Sequence, residues 1–457
     1  MLQGLALVAL LIGAVAFIIV ATAKLELHAF LTLLVAAYGT GLIAGVDPKK
    51  VATLVTDGFG SVLGYIGIVI LAGTIIGTTL ERSGAAIVIA ETILGLVGEE
   101  HTTEVMAVTG SIVSIPVFCD SGFVILSGLN RAVAERSSLS LSTLGVALAG
   151  GLYVTHVFVP PTPGPIAAAG ILGADVGLVM LTGLLVSVPV VFVAAKWADA
   201  VASNYHIDPN PETTIEDIKS EYGDLPSPTA SFAPLLVPIA LITLGSIASY
   251  PEAGNPAFVT GAPQRWLLFL GDPAVALVIG AFVAFGMVPT YKDEITDEWV
   301  SDGITNAAVI LAVTGAGGAF GSVLAALPLK AFVQNTFGGL GVGLLAAFVI
   351  AAALKTALGS STVAILTTAS LVAPLLGSLG LASQWGKVFA VLAIGAGSMT
   401  VSHANDSYFW IITEFTDMEP QTAYQAWTLA TLALGLASIV WIVVLRNAVQ
   451  VSASLVG

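Results

Sequence analysis

Residues 154–170 read VTHVFVPPTPGPIAAAG, and four of the six positions from Pro160 to Pro165 are prolines. Each proline lacks a backbone N–H and frees a carbonyl one turn upstream, so a regular helix ends within this stretch. A simple kink needs one proline, whereas four indicate a broken helix whose second half starts near Ile166. The freed carbonyls and the N–H groups at the positive end of the new helix suit the binding of an anion.

The chain around this stretch has the composition of a membrane protein. Of its 457 residues, 56% are hydrophobic and 9% are charged, and the mean hydropathy is +0.98. Apolar runs of about 20 residues, long enough to cross the hydrocarbon layer, recur at 2–23, 27–46, 268–288 and 424–445. We therefore expect an all-α, multi-pass protein of the cell membrane. A broken helix inside a membrane needs protein or water around it, which makes residues 154–170 a candidate binding site.

Several function classes are disfavoured by the same composition. The single cysteine, Cys119, excludes an intrachain disulfide. The net charge of −15 lies in acidic loops without a basic patch, so we expect no nucleic-acid partner. The glycine-rich residues 315–321 lack the Lys-Ser/Thr ending of a phosphate loop and indicate close helix packing instead. We expect no cofactor and no metal site.

One hydrophilic segment, residues 196–231, divides the chain into two halves that resemble each other weakly. The word VILA at 69–72 returns 240 positions later, and DSGFVIL at 120–126 lies opposite SSTVAIL at the same shift. Thr155-His156 lies opposite Ser402-His403, and Asp57-Gly58 returns as Asp302-Gly303. We predict four parts, and their bounds are an N-terminal span at 1–25, a first repeat at 26–196, an extramembrane linker at 197–231 and a second repeat at 232–457.

Counting the crossings between the two copies gives their relative orientation. With the span near 60–80 included and residues 85–97 placed in the membrane interface, five crossings precede the span near 304–327, so the second copy is inverted relative to the first. This count treats residues 101–130 and 339–377 as re-entrant hairpins, because each has a small or polar centre. The prediction is about 11 spans, two re-entrant hairpins and two broken helices in two inverted repeats, an arrangement typical of secondary transporters. Lysines and arginines divide evenly between the two sides, so the membrane orientation stays open.

The second half has its own break at 398–410 (SMTVSHANDSYFW), where Asn405 and its neighbours favour local side-chain hydrogen bonds over helix. Ionisable groups inside a membrane are functional by default, and histidine titrates near neutral pH. We expect His403 or Asp406 to carry a coupling proton, a structural His–Asp pair being the alternative. His156 is a candidate for the same role or for a structural one.

The two hairpin centres offer hydroxyls and backbone amides for a substrate or for sodium. Their residues are Asp120, Ser121 and Gly122 in the first hairpin and Ser360, Ser361 and Thr362 in the second. Lys355, close before the second centre, would neutralise a carboxylate of the substrate or pair with an acid of the protein.

Four stretches together resemble the gluconate permease family. They are HVFVPPTPGPIAAAGILGAD at 156–175, GFG and LGYIG at 58–67, LKTALGSSTVAILTTAS at 354–370 and HANDS at 403–407. The resemblance implies a proton-coupled importer of gluconate or a related small hydroxy acid, within a superfamily of inverted repeats that move by an elevator-type mechanism and often form homodimers. Substrates of that superfamily bind between hairpin tips and helix breaks. Carried over by position, the implied residues are Asp120, Ser121, Thr155, His156, Thr162, Gly164, Ser360, Ser361, Thr362, His403, Asn405 and Asp406.

The sequence is also compatible with other functions. A sodium-coupled carboxylate transporter of the same superfamily has the same architecture. An intramembrane metalloenzyme would use His156, His403 and Asp406 as metal ligands, although no His-Glu-x-x-His pattern is present. A passive channel does not explain broken inverted repeats. The motifs also leave the choice among gluconate, other sugar acids, glycerate and D-serine undecided.

Overall fold

The computed structural model describes residue 2 and residues 4–97, 101–209, 222, 224–249, 259–288, 298–328 and 343–456. All regular elements within these residues are helices. Residues 210–221 and 223 of the predicted linker and the first residues of the predicted second hairpin, 339–342, lie outside the described residues. The helices before the linker are α1 (Gly4–Ala23), α2 (Ala29–Ile43), α3 (Pro48–Arg82), α4 (Ala85–Val97), α5 (Thr102–Val113), α6 (Cys119–Ser137), α7 (Leu141–Phe158), α8 (Pro163–Leu172) and α9 (Val176–Ala200).

The second half continues with helices of similar kinds. They are α10 (Pro228–Ser249), α11 (Gly261–Leu270), α12 (Pro273–Met287), α13 (Val300–Ala325), α14 (Gly343–Leu358), α15 (Ser361–Val372), α16 (Gln384–Met399), α17 (Ser407–Phe415), α18 (Pro420–Ala423) and α19 (Leu429–Val456). A π-helical turn, Tyr424–Thr428, joins the last two. Short 3₁₀ turns follow α9 and α15, at Ala202–Asn204 and Ala373–Leu375.

Helix starts are fixed by cap residues in the sequence. Asp47 accepts a hydrogen bond from the Lys50 amide at 3.1 Å and precedes a proline at the first position of α3. Asp272 caps α12 in the same way, and Asp175 caps α9 without a proline. Such caps satisfy N–H groups that the helix itself leaves free, and a proline at the first helical position loses nothing.

Six helical stretches in the described part of the chain are long and apolar enough to cross a membrane. A seventh results if α11 and α12, bent by 66° against each other, form one span. The predicted total of about 11 spans also counts α1 and α2, and it stays a prediction. The stretch Leu141–Leu172 contains the proline run, and every residue of its most apolar part is buried inside the protein. The broken helix is therefore enclosed by other helices.

The two halves present their elements in the same order. A long helix (α3 or α13) precedes a helical hairpin (α5–α6 or α14–α15), a broken helix (α7–α8 or α16–α17) and a closing long helix (α9 or α19). The predicted match of Thr155-His156 with Ser402-His403 does not fit this order. The first pair lies in the last turn of α7, whereas the second pair lies beyond the end of α16.

Small residues let the long helices approach closely at the centre. A Cβ on Gly58 of α3 would lie 2.6 Å from the carbonyl oxygen of Gly318 on α13, and a Cβ on Gly318 would lie 2.6 Å from the Gly58 carbonyl. A Cβ on Gly151 of α7 would lie 1.8 Å from the Ala107 carbonyl of α5. Helices also cross between the halves, since α8 packs against α15 and α6 packs against α17. These crossings bring both hairpins to both helix breaks.

Candidate functional site

Four non-helical or newly started segments meet inside the protein. Break 1 (residues 159–162) separates α7 from α8, and break 2 (residues 400–406) separates α16 from α17. Tip 1 (residues 114–122) joins α5 to the first turn of α6, and tip 2 (residues 359–362) joins α14 to the first turn of α15. All of the predicted site residues lie in these segments, in the first turn of α8 or in the last turn of α7.

Break 1 offers fewer amide donors than the sequence suggests. Helix α8 begins at Pro163, three residues before the predicted start at Ile166, and its third residue is also a proline. The Ile166 amide donates to the Thr162 carbonyl at 3.4 Å, so Gly164 supplies the amide left free in that first turn. The Thr162 hydroxyl donates to the Val159 carbonyl at 2.5 Å. The predicted anion site on several amides of α8 is thus reduced to one amide, because prolines carry no N–H.

Break 2 is fastened to α14 by a buried ion pair. Lys355 and Asp406 are both buried, with 0% and 4% of their surface exposed. Lys355 Nζ lies 2.5 Å from Asp406 Oδ2. The Ser402 hydroxyl donates to the same Oδ2 at 2.5 Å, and the Tyr408 amide donates to Oδ1 at 3.2 Å. Asp406 is therefore both the acidic partner of Lys355 and the N-cap of α17.

His403 and Asn405 make a second connection between break 2 and α14. His403 Nε2 lies 2.9 Å from the Thr356 carbonyl oxygen, and the Asn405 side-chain amide donates to that oxygen at 2.8 Å. Because a carbonyl oxygen only accepts, Nε2 carries the hydrogen in this arrangement. His403 and Asp406 do not pair with each other, because His403 contacts the Thr356 carbonyl and Asp406 contacts Lys355.

Tip 2 lies between break 2 and α7. Gly359 has a φ of +77°, and a Cβ there would lie 1.9 Å from the Asn405 carbonyl, so only glycine fits. The Ser361 hydroxyl lies 2.6 Å from the Tyr153 hydroxyl of α7. The Ser360 hydroxyl caps α15 by accepting from the Val363 amide at 3.3 Å, and Thr362 is half-buried beside it.

Tip 1 reaches the same region from the opposite half of the chain. The Ser407 hydroxyl, at the start of α17, donates to Asp120 Oδ2 at 3.1 Å. Ser121 is half-buried and Gly122 is buried against Leu152, whose Cδ2 would lie 2.8 Å from an added Cβ. The first hairpin thereby contacts the helix that follows break 2.

Two side chains at the end of α7 behave differently from each other. The Thr155 hydroxyl donates to the Ser111 carbonyl of α5 at 2.8 Å and so holds α7 to the first hairpin. His156 is 7% exposed, and its ring centroid lies 6.3 Å from that of Phe118 in tip 1. Its Nδ1 has no hydrogen-bond partner among the described residues. An unpaired buried polar atom is costly, so this nitrogen is a candidate to bind a polar group of a ligand.

The sequence matches a known family over nearly its full length. The family model described as GntP family permease matches residues 5–449. This chain belongs to the GntP permease family. The gluconate permease of Pseudomonas aeruginosa is 32% identical to it over 438 residues, 94% of this chain and 95% of that protein. The gluconate permease of Bacillus subtilis is 30% identical, with 96% and 99% covered, and the high-affinity gluconate transporter of Escherichia coli is 30% identical, with 91% and 94% covered.

A solved structure shares the fold of this GntP family chain. The Alcanivorax borkumensis YdaH transporter superposes with a TM-score of 0.66 at 14% identity, covering 91% of this chain and 98% of that one. At this identity the likeness concerns the fold alone. Family membership and the apolar helices together establish a multi-pass membrane permease, and the resemblance stated from the sequence motifs is confirmed.

The site also contains residues that were not predicted from the sequence. Tyr153 and Tyr408 are buried, their ring centroids are 5.4 Å apart, and each hydroxyl has a partner across the site. A buried tyrosine needs a partner for its hydroxyl, so a tyrosine three residues before His156 was an available signal. Ser407 was also missed, because its contact with tip 1 depends on the packing of two distant segments.

A small apolar pocket adjoins break 1 and tip 1 of this permease, on the side away from break 2. Its lining residues are all apolar and include Pro116, Pro161, Met180, Pro238 and Leu277. A hydroxylated anion would lose hydrogen bonds to water there without replacing them. The tips and breaks, which carry polar groups, are therefore the better candidates for the site.

Proposed function

We propose that this permease is a symporter that imports gluconate or a related small hydroxy-carboxylate together with protons. The observation that carries the proposal is the contact of both hairpin tips with break 2 and its following helix, and of tip 2 with α7. Non-helical backbone surrounded by protein at the centre of a membrane permease is the setting in which transporters bind small substrates. The names of the gluconate permeases with about 30% identity support this choice of substrate.

The proposed architecture is two inverted repeats, residues 26–196 and 232–457, with an N-terminal span at 1–25 and a linker at 197–231. The shared order of elements and the reciprocal packing of α6 on α17 and of α8 on α15 support it. The proposed cycle moves one bundle against the other in an elevator-type manner. A homodimer in the lipid bilayer is part of the same proposal.

The proposed substrate site combines hydroxyl, amide and ring nitrogen groups from both halves. Its residues are Asp120, Ser121, Gly122, Thr155, His156, Thr162, Gly164, Ser360, Ser361, Thr362 and Asn405. Gluconate presents one carboxylate and several hydroxyls, so donors and acceptors are both needed. The unpaired Nδ1 of His156 is the group in this set that most clearly awaits a partner.

Protons bind in this proposal at His156, His403 or Asp406. A charge crossing the bilayer centre costs several kcal/mol or more, so a proton that accompanies the anion lowers the barrier to its movement. Sodium coupling remains the alternative. The metalloenzyme hypothesis gains no support, because His156, His403 and Asp406 form no group that could hold a metal ion in the described part of the chain.

Transport by purified protein in proteoliposomes tests this function. Vesicles preloaded with unlabelled gluconate should accumulate labelled gluconate by counterflow, and an imposed inward proton gradient should raise net uptake. Glycerate, D-serine and other sugar acids form the comparison panel, and protein-free vesicles are the control. If no member of the panel exchanges, the substrate class is wrong. If uptake responds to a sodium gradient but not to a proton gradient, the coupling ion is wrong.

A further inference from the structure

Lys355 is the least exposed cation of the site, and its surroundings are unusual for a lysine. Its Nζ lies 2.5 Å from the Gly359 carbonyl oxygen of tip 2 and 2.5 Å from Asp406 Oδ2 of break 2. The Tyr153 ring lies on a further side, with its centroid 5.8 Å from Nζ. Two hydrogen-bonded oxygens and an aromatic face therefore surround an ammonium group that water does not reach.

Stability alone does not explain this arrangement. Burial of an ammonium and a carboxylate carries a large desolvation cost, and apolar pairs of similar volume are often as stable or more so. A lysine at the surface would interact with the C-terminal carbonyls of α14 without being buried. What the buried pair does provide is a connection between two separate elements, tip 2 and break 2.

The atoms that hold the ammonium have the chemistry of an alkali-cation site. They are a main-chain carbonyl oxygen at a hairpin tip and a carboxylate oxygen in an unwound segment, with the Ser402 hydroxyl 2.5 Å from that carboxylate oxygen. In secondary transporters, carbonyls of unwound backbone and helix C-terminal ends coordinate coupling cations. Glycine is required at position 359, because its φ is left-handed and a side chain would collide with the Asn405 carbonyl.

We propose that Lys355 is a tethered cation that occupies, between tip 2 and break 2, the place of a free sodium ion. The ammonium neutralises the Asp406 carboxylate, so the hairpin closes on break 2 without binding sodium from solution. The inference rests on the proposed coupled transport and deepens it, since it assigns a structural reason for independence from sodium. Lys355 is thus a positioning residue that selects against a sodium-coupled cycle.

The variant Lys355→Ala tests this proposal. It removes the tethered charge and leaves space beside the Gly359 carbonyl oxygen and Asp406 Oδ2. The measurement is the thermal unfolding midpoint of the full chain in detergent, without substrate, in sodium chloride or choline chloride at equal ionic strength. We expect Lys355→Ala to unfold at a lower temperature than the wild type in choline. Sodium should raise its midpoint by several degrees with a saturable dependence, because a bound cation stabilises the folded state.

The double variant Lys355→Ala/Asp406→Asn is the matched control, since it has the same space but no carboxylate. It and the wild type should show no sodium-specific shift. The inference is overturned if Lys355→Ala does not respond to sodium, or if the double variant responds equally. Should Lys355→Ala yield no folded protein, the wild type decides: a sodium-specific rise of its midpoint overturns the inference, and equal midpoints in both salts support it. These readouts need no substrate, so a failure of the counterflow assay is separate from a failure of this inference.

Discussion

Replacement of Asp406 by asparagine should abolish accumulation of substrate and should also lower the stability of the permease. The Lys355 ammonium would then be buried without its acidic partner, and breaking a buried ion pair in this way typically costs about 3–5 kcal/mol. Asparagine still accepts a hydrogen bond from the Tyr408 amide, so the start of α17 is kept and the charge is what changes. The measurements are the unfolding midpoint in detergent and proton-driven uptake of gluconate in proteoliposomes.

A second substitution separates the two effects of Asp406. Combining Asp406→Asn with Lys355→Met removes both charges at nearly constant volume, so the midpoint should return close to that of the wild type. Accumulation should remain at least about 10-fold below the wild type, because loss of a charged hydrogen-bonded group costs about 1.5–3 kcal/mol and the connection to tip 2 is also lost. Recovery of transport together with stability would show that the ion pair is structural only.

Replacement of His156 by leucine should reduce transport by about 10–100-fold without destabilising the protein. The Nδ1 atom of His156 is buried without a partner among the described residues, and such an atom costs about 1–3 kcal/mol. An apolar side chain removes that cost, so the unfolding midpoint should stay equal or rise. A hydrogen bond to a charged substrate group is worth about 1.5–3 kcal/mol, which sets the expected loss of counterflow activity.

The control for this substitution is a histidine far from the tips and breaks. His206 is exposed in the linker and pairs with Asp208, so His206→Ala should leave gluconate counterflow unchanged. Unchanged counterflow in His156→Leu would remove His156 from the site. A strong fall of its unfolding midpoint with normal counterflow per folded molecule would likewise assign His156 to packing.

Features that depend on local chemistry were predictable from the sequence. Four closely spaced prolines end one helix and start the next whatever surrounds them. The break between α7 and α8 accordingly lies at 159–162, inside the proline-rich stretch 154–170. The polar residues at 120–122 and 360–362 lie at the start of the second helix of each helical hairpin. Cap residues such as Ser360 and Asp406 accept hydrogen bonds from amides two or three residues away, so the local sequence is enough to predict this role.

Features that depend on packing between distant segments were not predictable in the same way. The partner of Asp406 is 51 positions away, and that of Ser361 is 208 positions away. No short-range pattern encodes which of several acids Lys355 meets. The amides of α8 were overestimated for a different reason, since the same prolines that break the helix also occupy donor positions in its first turn.

The most direct test of the central claim is the position of the bound substrate in an experimentally determined structure of the permease with gluconate. We predict density for the anion between tip 1, tip 2 and the two breaks, within hydrogen-bonding distance of His156 Nδ1. Density in the apolar pocket beside Pro116 and Pro238, or at any place remote from both tips, would contradict this placement of the site.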